Sequence, residues 1–299
     1  MNKKILPFIA LAGALLAIVI ALVLAIKPGG NNDGKLTITV SASFWGDIAR
    51  QIGGEHVTVT SVLDDPEADP HLYESGAKDT SAITRADVVI INGLGYDDFM
   101  QKALDTARGG SREVITVSDL LKLSTGSNPH IWYDIPNIHL VAGALEAAMS
   151  KRDPTHSADY KKNLSIFVDS LQPLLVRIDS IRAEHANAQV AFTERVPEYL
   201  LKAANLNVVS PASFAAAIEE GNEPSPSDQA SMRDLITGKK IEALIYNPQA
   251  ESEVTRQLRD LASQNKIPVV AMSETPPANT SYQQWQLDML DSLFNALNN

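Results

Sequence analysis

The sequence contains no cysteine. That absence excludes disulfides, Cys-ligated zinc, iron–sulfur clusters and thiol catalysis together. Any metal must then be held by His, carboxylate or other oxygen ligands. Basic residues are also scarce, with 25 Lys+Arg against 36 Asp+Glu and a net charge of −11. Sequence-independent nucleic-acid binding needs a basic face, so no nucleic-acid partner is expected. Three motifs of hydrolases and nucleotide-binding enzymes are missing: His-Glu-x-x-His, Gly-x-Ser-x-Gly and the Walker A loop. What is present is a chain of 299 residues, 44% hydrophobic and 20% charged. It is long enough to bury a large core and reads as about two domains or lobes.

One long hydrophobic run opens the chain. Lys3 and Lys4 precede an uncharged apolar stretch from Ile5 to Ile26, and Lys27 closes it. As a helix it is about 33 Å long, enough to cross a bilayer. The lysines orient it N-terminus inward. Its length favours an uncleaved membrane anchor over 1–27. A cleaved signal peptide, with Val23 and Ala25 at the cleavage positions, is the other reading. Both place the rest of the chain outside the cytoplasmic membrane. Residues 28–35, rich in Gly and Asn, read as a flexible linker.

The body alternates strands and helices, the signature of parallel βαβ units. Strands are expected at 35–41, 57–62, 88–91 and 114–117, with helices at 44–52, 80–85 and 96–106. After residue 187 the rhythm resumes, with strands at 189–192, 208–209, 243–246 and 269–271. Helices there are expected at 198–204, 226–237, 251–265 and 282–297. Between the two halves Tyr160, Leu164, Phe167, Leu171, Leu174, Ile178 and Ile181 recur at alternating steps of four and three. That is one continuous helical stripe, with Pro173 positioned to kink it. A coiled-coil dimer would also explain the stripe, but only about three heptads are present and α/β segments flank it. The expected fold is α/β: two parallel-sheet lobes, 36–150 and 187–299, linked by a single long α-helix within 151–186 and preceded by an N-terminal apolar helix. The protein is expected to be a monomer.

A repeated pentapeptide carries the chemistry. Asp69-Pro-His-Leu-Tyr73 is echoed by Asn128-Pro-His-Ile-Trp132. Proline fixes its own φ and holds its predecessor extended, so His71 and His130 each leave a stiff turn with an aromatic two residues on. One Pro-His means nothing; two matched copies in one lobe point to paired imidazole ligands. His56, His139, His156 and His185 lack this context and read as surface or structural residues. Two carboxylates complete the set. Glu194 follows the strand at 189–192, and Glu274 follows the strand at 269–271. Ligand groups in parallel α/β sheets gather beyond the strands' C-terminal ends. Alone, each Glu reads as a loop or helix-start residue. Two imidazoles facing two carboxylates, however, would neutralise a divalent cation and suit zinc or manganese.

These motifs resemble those of the metal-binding receptors of bacterial zinc and manganese ABC importers, the cluster A-I solute-binding proteins. The similarity spans about residues 37–298 through Ser41-Ala-Ser-Phe-Trp45, Ile52-Gly-Gly54, Asp69-Pro-His-Leu-Tyr-Glu74, Ala86-Asp87, Asn92-Gly-Leu-Gly95 and Asn128-Pro-His-Ile-Trp132. Looser matches follow at Thr193-Glu194, Glu223-Pro-Ser-Pro226 and Ser273-Glu-Thr275. The resemblance implies two α/β lobes bridged by one rigid helix, with the metal between them. It places the ligands at His71, His130, Glu194 and Glu274, the last standing where the family commonly has Asp. It also implies a binding protein rather than an enzyme, with an ABC permease as partner. The cargo is Mn²⁺ or Zn²⁺, with Fe²⁺ possible by chemistry. The Glu at the third position and the short Ser124-Thr-Gly-Ser127 segment, in place of a His-rich loop, lean towards manganese. The family's frequent lipid-bearing cysteine is absent, so the apolar N-terminal segment takes over as the tether. An exported metalloenzyme and a metal-independent surface adhesin are the competing functions.

Overall fold

The computed structural model describes residues 34–66, 73–107 and 109–299. The apolar segment expected at the N-terminus lies outside these residues. No helix among the described residues is long and apolar enough to cross a membrane.

The N-terminal lobe is built on β1 (Leu36–Ala42), α1 (Ser43–Gly53), β2 (Val57–Leu63), α2 (Ala77–Arg85), β3 (Val88–Ile91), α3 (Asp98–Thr106) and β4 (Glu113–Thr116), followed by the short α4 (Val117–Leu120) and α5 (Ile135–Arg152). Its strands pair in parallel in the order β2-β1-β3-β4. β3 is apolar throughout and buried at every residue, as a central parallel strand covered on both faces must be.

Two helical segments follow, α6 (Ser157–Ser170) and α7 (Gln172–His185). They make up the expected linking helix, interrupted at Leu171. Pro173 is the cause: it has no N–H to donate to the preceding turn. Leu171 nevertheless keeps helical angles (φ −80°, ψ −14°), so the chain bends without stopping. The predicted stripe faces inward, with Tyr160, Phe167, Leu171, Leu174, Ile178 and Ile181 all buried.

The C-terminal lobe repeats the plan with β5 (Gln189–Phe192), α8 (Glu198–Ala203), β6 (Asn207–Val208), α9 (Ala212–Glu219), α10 (Pro226–Thr237), β7 (Ala243–Tyr246), α11 (Glu253–Gln264), β8 (Val269–Ala271) and α12 (Tyr282–Leu297). The strand order is β6-β5-β7-β8, again all parallel. The two sheets therefore share one topology, each reversing direction beside its first strand. Such switch points open a crevice at the C-terminal strand ends.

The lobes are not separately cored. One apolar cluster runs from Phe44, Trp45 and Ile90 of the first lobe through Leu174 and Ile178 of α7 to Phe192, Ile245, Val270 and Trp285 of the second. At its centre Phe44 stacks on Trp132, with ring centroids 4.2 Å apart, and lies 6.3 Å from Trp285. Each fully buried large side chain contributes about 1.5–3 kcal/mol. A smaller cluster around Phe214, Met232 and Leu258 fills the outer face of the second sheet. α12 ties the parts together: the Tyr282 N–H donates to Asp47 of α1 at 2.7 Å, and Gln283 donates to Gln51 of α1 at 2.8 Å and to Ser170 at the end of α6 at 2.7 Å.

Candidate metal centre

His130 is fully buried in the turn before α5. Its Nδ1 lies 2.6 Å from Asn128 Oδ1, which also accepts the His130 backbone N–H at 3.0 Å. An amide oxygen only accepts, so Nδ1 carries a proton towards Asn128 and Nε2 is the nitrogen turned to Glu274. Asn128 is anchored across the cleft. Its Nδ2 donates to the Arg195 carbonyl at 2.7 Å and to Glu198 at 2.9 Å, and Tyr199 donates to the Asn128 carbonyl at 2.8 Å. As the sequence motif predicts, Trp132 packs edge-on beside the imidazole at 5.3 Å.

The Asn92-Gly-Leu-Gly95 loop supports this turn. Asn92 Nδ2 donates to the Pro129 carbonyl at 2.8 Å. Buried Asp97 accepts the N–H groups of Asn92 and Gly93 at 2.5 and 2.9 Å. Burial pushes its carboxyl above the usual range, and hydrogen bonds from Ser41 and the loop amides oppose that. Gly93 has φ +84°, and a Cβ there would lie 2.2 Å from Ser118 Oγ, so no other residue fits.

The second lobe brings its groups together by register. Phe192 pairs with Ile245 and Tyr246 with Ala271, so the segments beyond β5, β7 and β8 lie side by side. They carry Glu194, Asn247 and Glu274, all buried. Asn247 Nδ2 donates to Glu194 at 2.7 Å and to Glu274 at 2.8 Å. Glu274 Oε2 reaches across the cleft to within 3.7 Å of His130 Nε2. Gln249 holds the same carboxylate's backbone: its Oε1 accepts the Glu274 N–H at 2.6 Å and the Thr275 N–H at 3.3 Å. Its Nε2 donates to the Pro66 carbonyl at 2.6 Å, on the first lobe's loop towards His71. Tyr133 donates to the Ser273 carbonyl at 2.7 Å. Burial, then the nearby charge of Glu274, raise its hydroxyl well above the usual value, which keeps it a donor.

Of the four ligands expected from sequence, the structure therefore brings His130 and Glu274 together and joins Glu194 to Glu274 through Asn247. His71 lies outside the described residues. Among the described residues no group of three or more His, Cys, Asp or Glu is gathered closely enough to hold a metal ion. The other histidines lie elsewhere, as expected. His56 stacks on His156 with centroids 3.9 Å apart, and each contacts an aspartate, Asp159 and Asp153 respectively. A cleft of about 900 Å³ opens between Tyr96 and Pro129 of one lobe and Arg195 and Gln249 of the other, with Glu194 on its wall. The sequence reading misses Asn247 and Gln249. Their signal is Asn247-Pro248 directly after a strand, an Asn-Pro step like the one at 128–129.

Comparison with known proteins identifies the family. Residues 38–296 match the family described as zinc-uptake complex component A, periplasmic (ZnuA). The chain is 30% identical over 230 residues to the manganese-binding lipoprotein MntA of Bacillus subtilis (strain 168), covering 72% of each. It is 23% identical over 254 residues to the manganese ABC transporter substrate-binding lipoprotein PsaA of Streptococcus pneumoniae serotype 4, covering 79% of each. Among solved structures, the periplasmic zinc-binding protein TroA of Treponema pallidum superposes with a TM-score of 0.74 at 20% identity, over 88% of this chain and 99% of TroA. FpvC of Pseudomonas aeruginosa in complex with Mn²⁺ gives 0.74 at 21% identity, over 88% and 98%. The two-lobed fold is thus shared with metal-binding receptors, and the sequence match settles the rest: this chain belongs to the zinc-uptake complex component A family.

Proposed function

We propose that the protein is an extracytoplasmic solute-binding protein that captures a divalent transition metal, manganese or zinc, and delivers it to the permease of an ABC importer. The observation that carries this reading is the convergence of Glu194 and Glu274 on one amide, with Glu274 3.7 Å from the Nε2 of His130. Two buried carboxylates opposite an imidazole supply the charge that offsets a divalent ion. His71 completes the proposed set of two nitrogens and two carboxylates, with every position given by protein and no open place for a reacting water. On this reading the protein is a receptor and not an enzyme.

The shared core sets how cargo leaves. Lobes joined through Phe44, Trp132 and Trp285 do not swing apart as rigid bodies, so release proceeds through the ligand-bearing loops. For the tether, relatives named as lipoproteins carry lipid, whereas this sequence has no cysteine to accept one. The segment Ile5–Ile26 takes that role.

Elemental analysis of protein purified without added metal, followed by competition between zinc and manganese, tests the reading. Bound metal raises the melting temperature by mass action. His71→Ala and His130→Ala should each abolish that rise. A full shift in both variants would overturn the site, and turnover in a hydrolase panel lost with His130→Ala would make the protein an enzyme.

A further inference from the structure

The least explained chemistry in the cleft belongs to one side-chain amide. We infer that Asn247 sets how many oxygens the site offers its metal, and through that number its preference among divalent ions; this rests on the metal site proposed above. The Asn247 side chain is buried, and its Nδ2 donates to Glu194 Oε2 at 2.7 Å and to Glu274 Oε1 at 2.8 Å. An amide nitrogen has two hydrogens, so each goes to a different carboxylate. The amide cannot easily rotate away, because its Oδ1 accepts the Gln249 N–H at 2.9 Å.

One oxygen of each carboxylate is thereby tied to Asn247. A carboxylate that grips a metal through both oxygens must turn both towards the ion. One held by a short N–H···O bond at a single oxygen is set to ligate through the other. Two imidazoles and two carboxylates bound through one oxygen each make four donors, the number tetrahedral zinc takes. Manganese prefers six oxygen-rich positions, which these carboxylates approach only by turning both oxygens inward. Asn247 therefore restrains the site to four donors, and its removal opens the route to more. The residue acts through Glu194 and Glu274 and is a positioning residue.

Cobalt(II) is the probe, since four-coordinate cobalt absorbs visible light much more strongly than six-coordinate cobalt. The wild-type protein should give the intense spectrum. Asn247→Leu, with the same branching and no donor, and Asn247→Ser should bind cobalt with weaker absorption per bound ion. Their manganese-to-zinc affinity ratio, from competition dialysis with elemental analysis, should rise about tenfold. Folded variants that keep both the wild-type intensity and ratio would overturn the inference. So would a weak, high-coordinate spectrum in the wild type, which decides the matter even where both variants fail to fold. Wild-type protein that takes up no cobalt, zinc or manganese would instead overturn the metal site itself, and this inference with it.

Discussion

Asn128 Oδ1 and His130 Nδ1 lie 2.6 Å apart, and that contact fixes which imidazole nitrogen faces the cleft. The same asparagine donates into the opposite lobe, to the Arg195 carbonyl and Glu198. The orientation of His130, a proposed ligand from one lobe, is thus set by a residue held from the other. Asn128→Ala should weaken metal binding about 10–100-fold by freeing the ring's tautomer and angle. Isothermal titration with zinc measures it, and an unchanged Kd would show that the turn alone suffices.

Gln249 also spans the lobes, between the Glu274 N–H and the Pro66 carbonyl. Gln249→Ala leaves the Glu274 and Thr275 N–H groups without the acceptor they share, and a buried donor left unpaired costs about 1–3 kcal/mol. The loss should appear in the melting temperature without metal and again in metal affinity. Gln249→Glu keeps an acceptor but adds a carboxylate close to buried Glu274, so without metal it should destabilise the protein at least as much as Ala.

Trp132 joins the site to the core. It is fully buried, stacks on Phe44, and its carbonyl accepts the Tyr282 hydroxyl at 2.6 Å. Trp132→Ala should destabilise the protein by about 3–5 kcal/mol, read from urea unfolding. Because the cavity opens beside His130, metal affinity should fall in the same variant. Trp132→Phe should preserve most of both.

Asp153 provides a pH test away from the cleft. Burial disfavours its charge, yet hydrogen bonds from His156 and Tyr160 and the charge of His156 outweigh that and hold its carboxyl below the usual aspartate value. A carboxylate with a depressed folded pKa stabilises the fold above its unfolded pKa and loses that contribution as pH falls through the folded value. Wild-type protein should therefore melt above Asp153→Asn at neutral pH, with the gap narrowing below about pH 4. A gap independent of pH would place the effect in hydrogen bonding alone.

Where burial leaves an obvious trace, the sequence reading and the structure agree. β3, β5, β7 and β8 begin and end where expected; β3 and β7, central strands buried along almost their whole length, admit little but apolar residues. α5 is not anticipated. Its buried residues Ile138, Val141, Ala142, Leu145, Ala148 and Met149 do keep helical spacing, but half-exposed Leu140 and the small Ala and Gly between them blur the contrast with the outer face. α9, Ala-Ser-Phe-Ala-Ala-Ala-Ile-Glu, has the same difficulty. Of the proposed ligands, His130, Glu194 and Glu274 stand out in the sequence because each follows a strand or a Pro-fixed turn. Asn247 is not, since an amide announces no chemistry until the two carboxylates it joins, far apart in sequence, are brought beside it.

The placement of α12 has a consequence for how the molecule is made. Tyr282 and Gln283 hold α1 and the end of α6, and Trp285 enters the aromatic cluster around Phe44. A chain emerging from the ribosome in order carries Asp47 and Gln51 through most of its synthesis before these α12 partners exist. The first half cannot reach its final packing early, and the last helix to appear is the one that closes the fold.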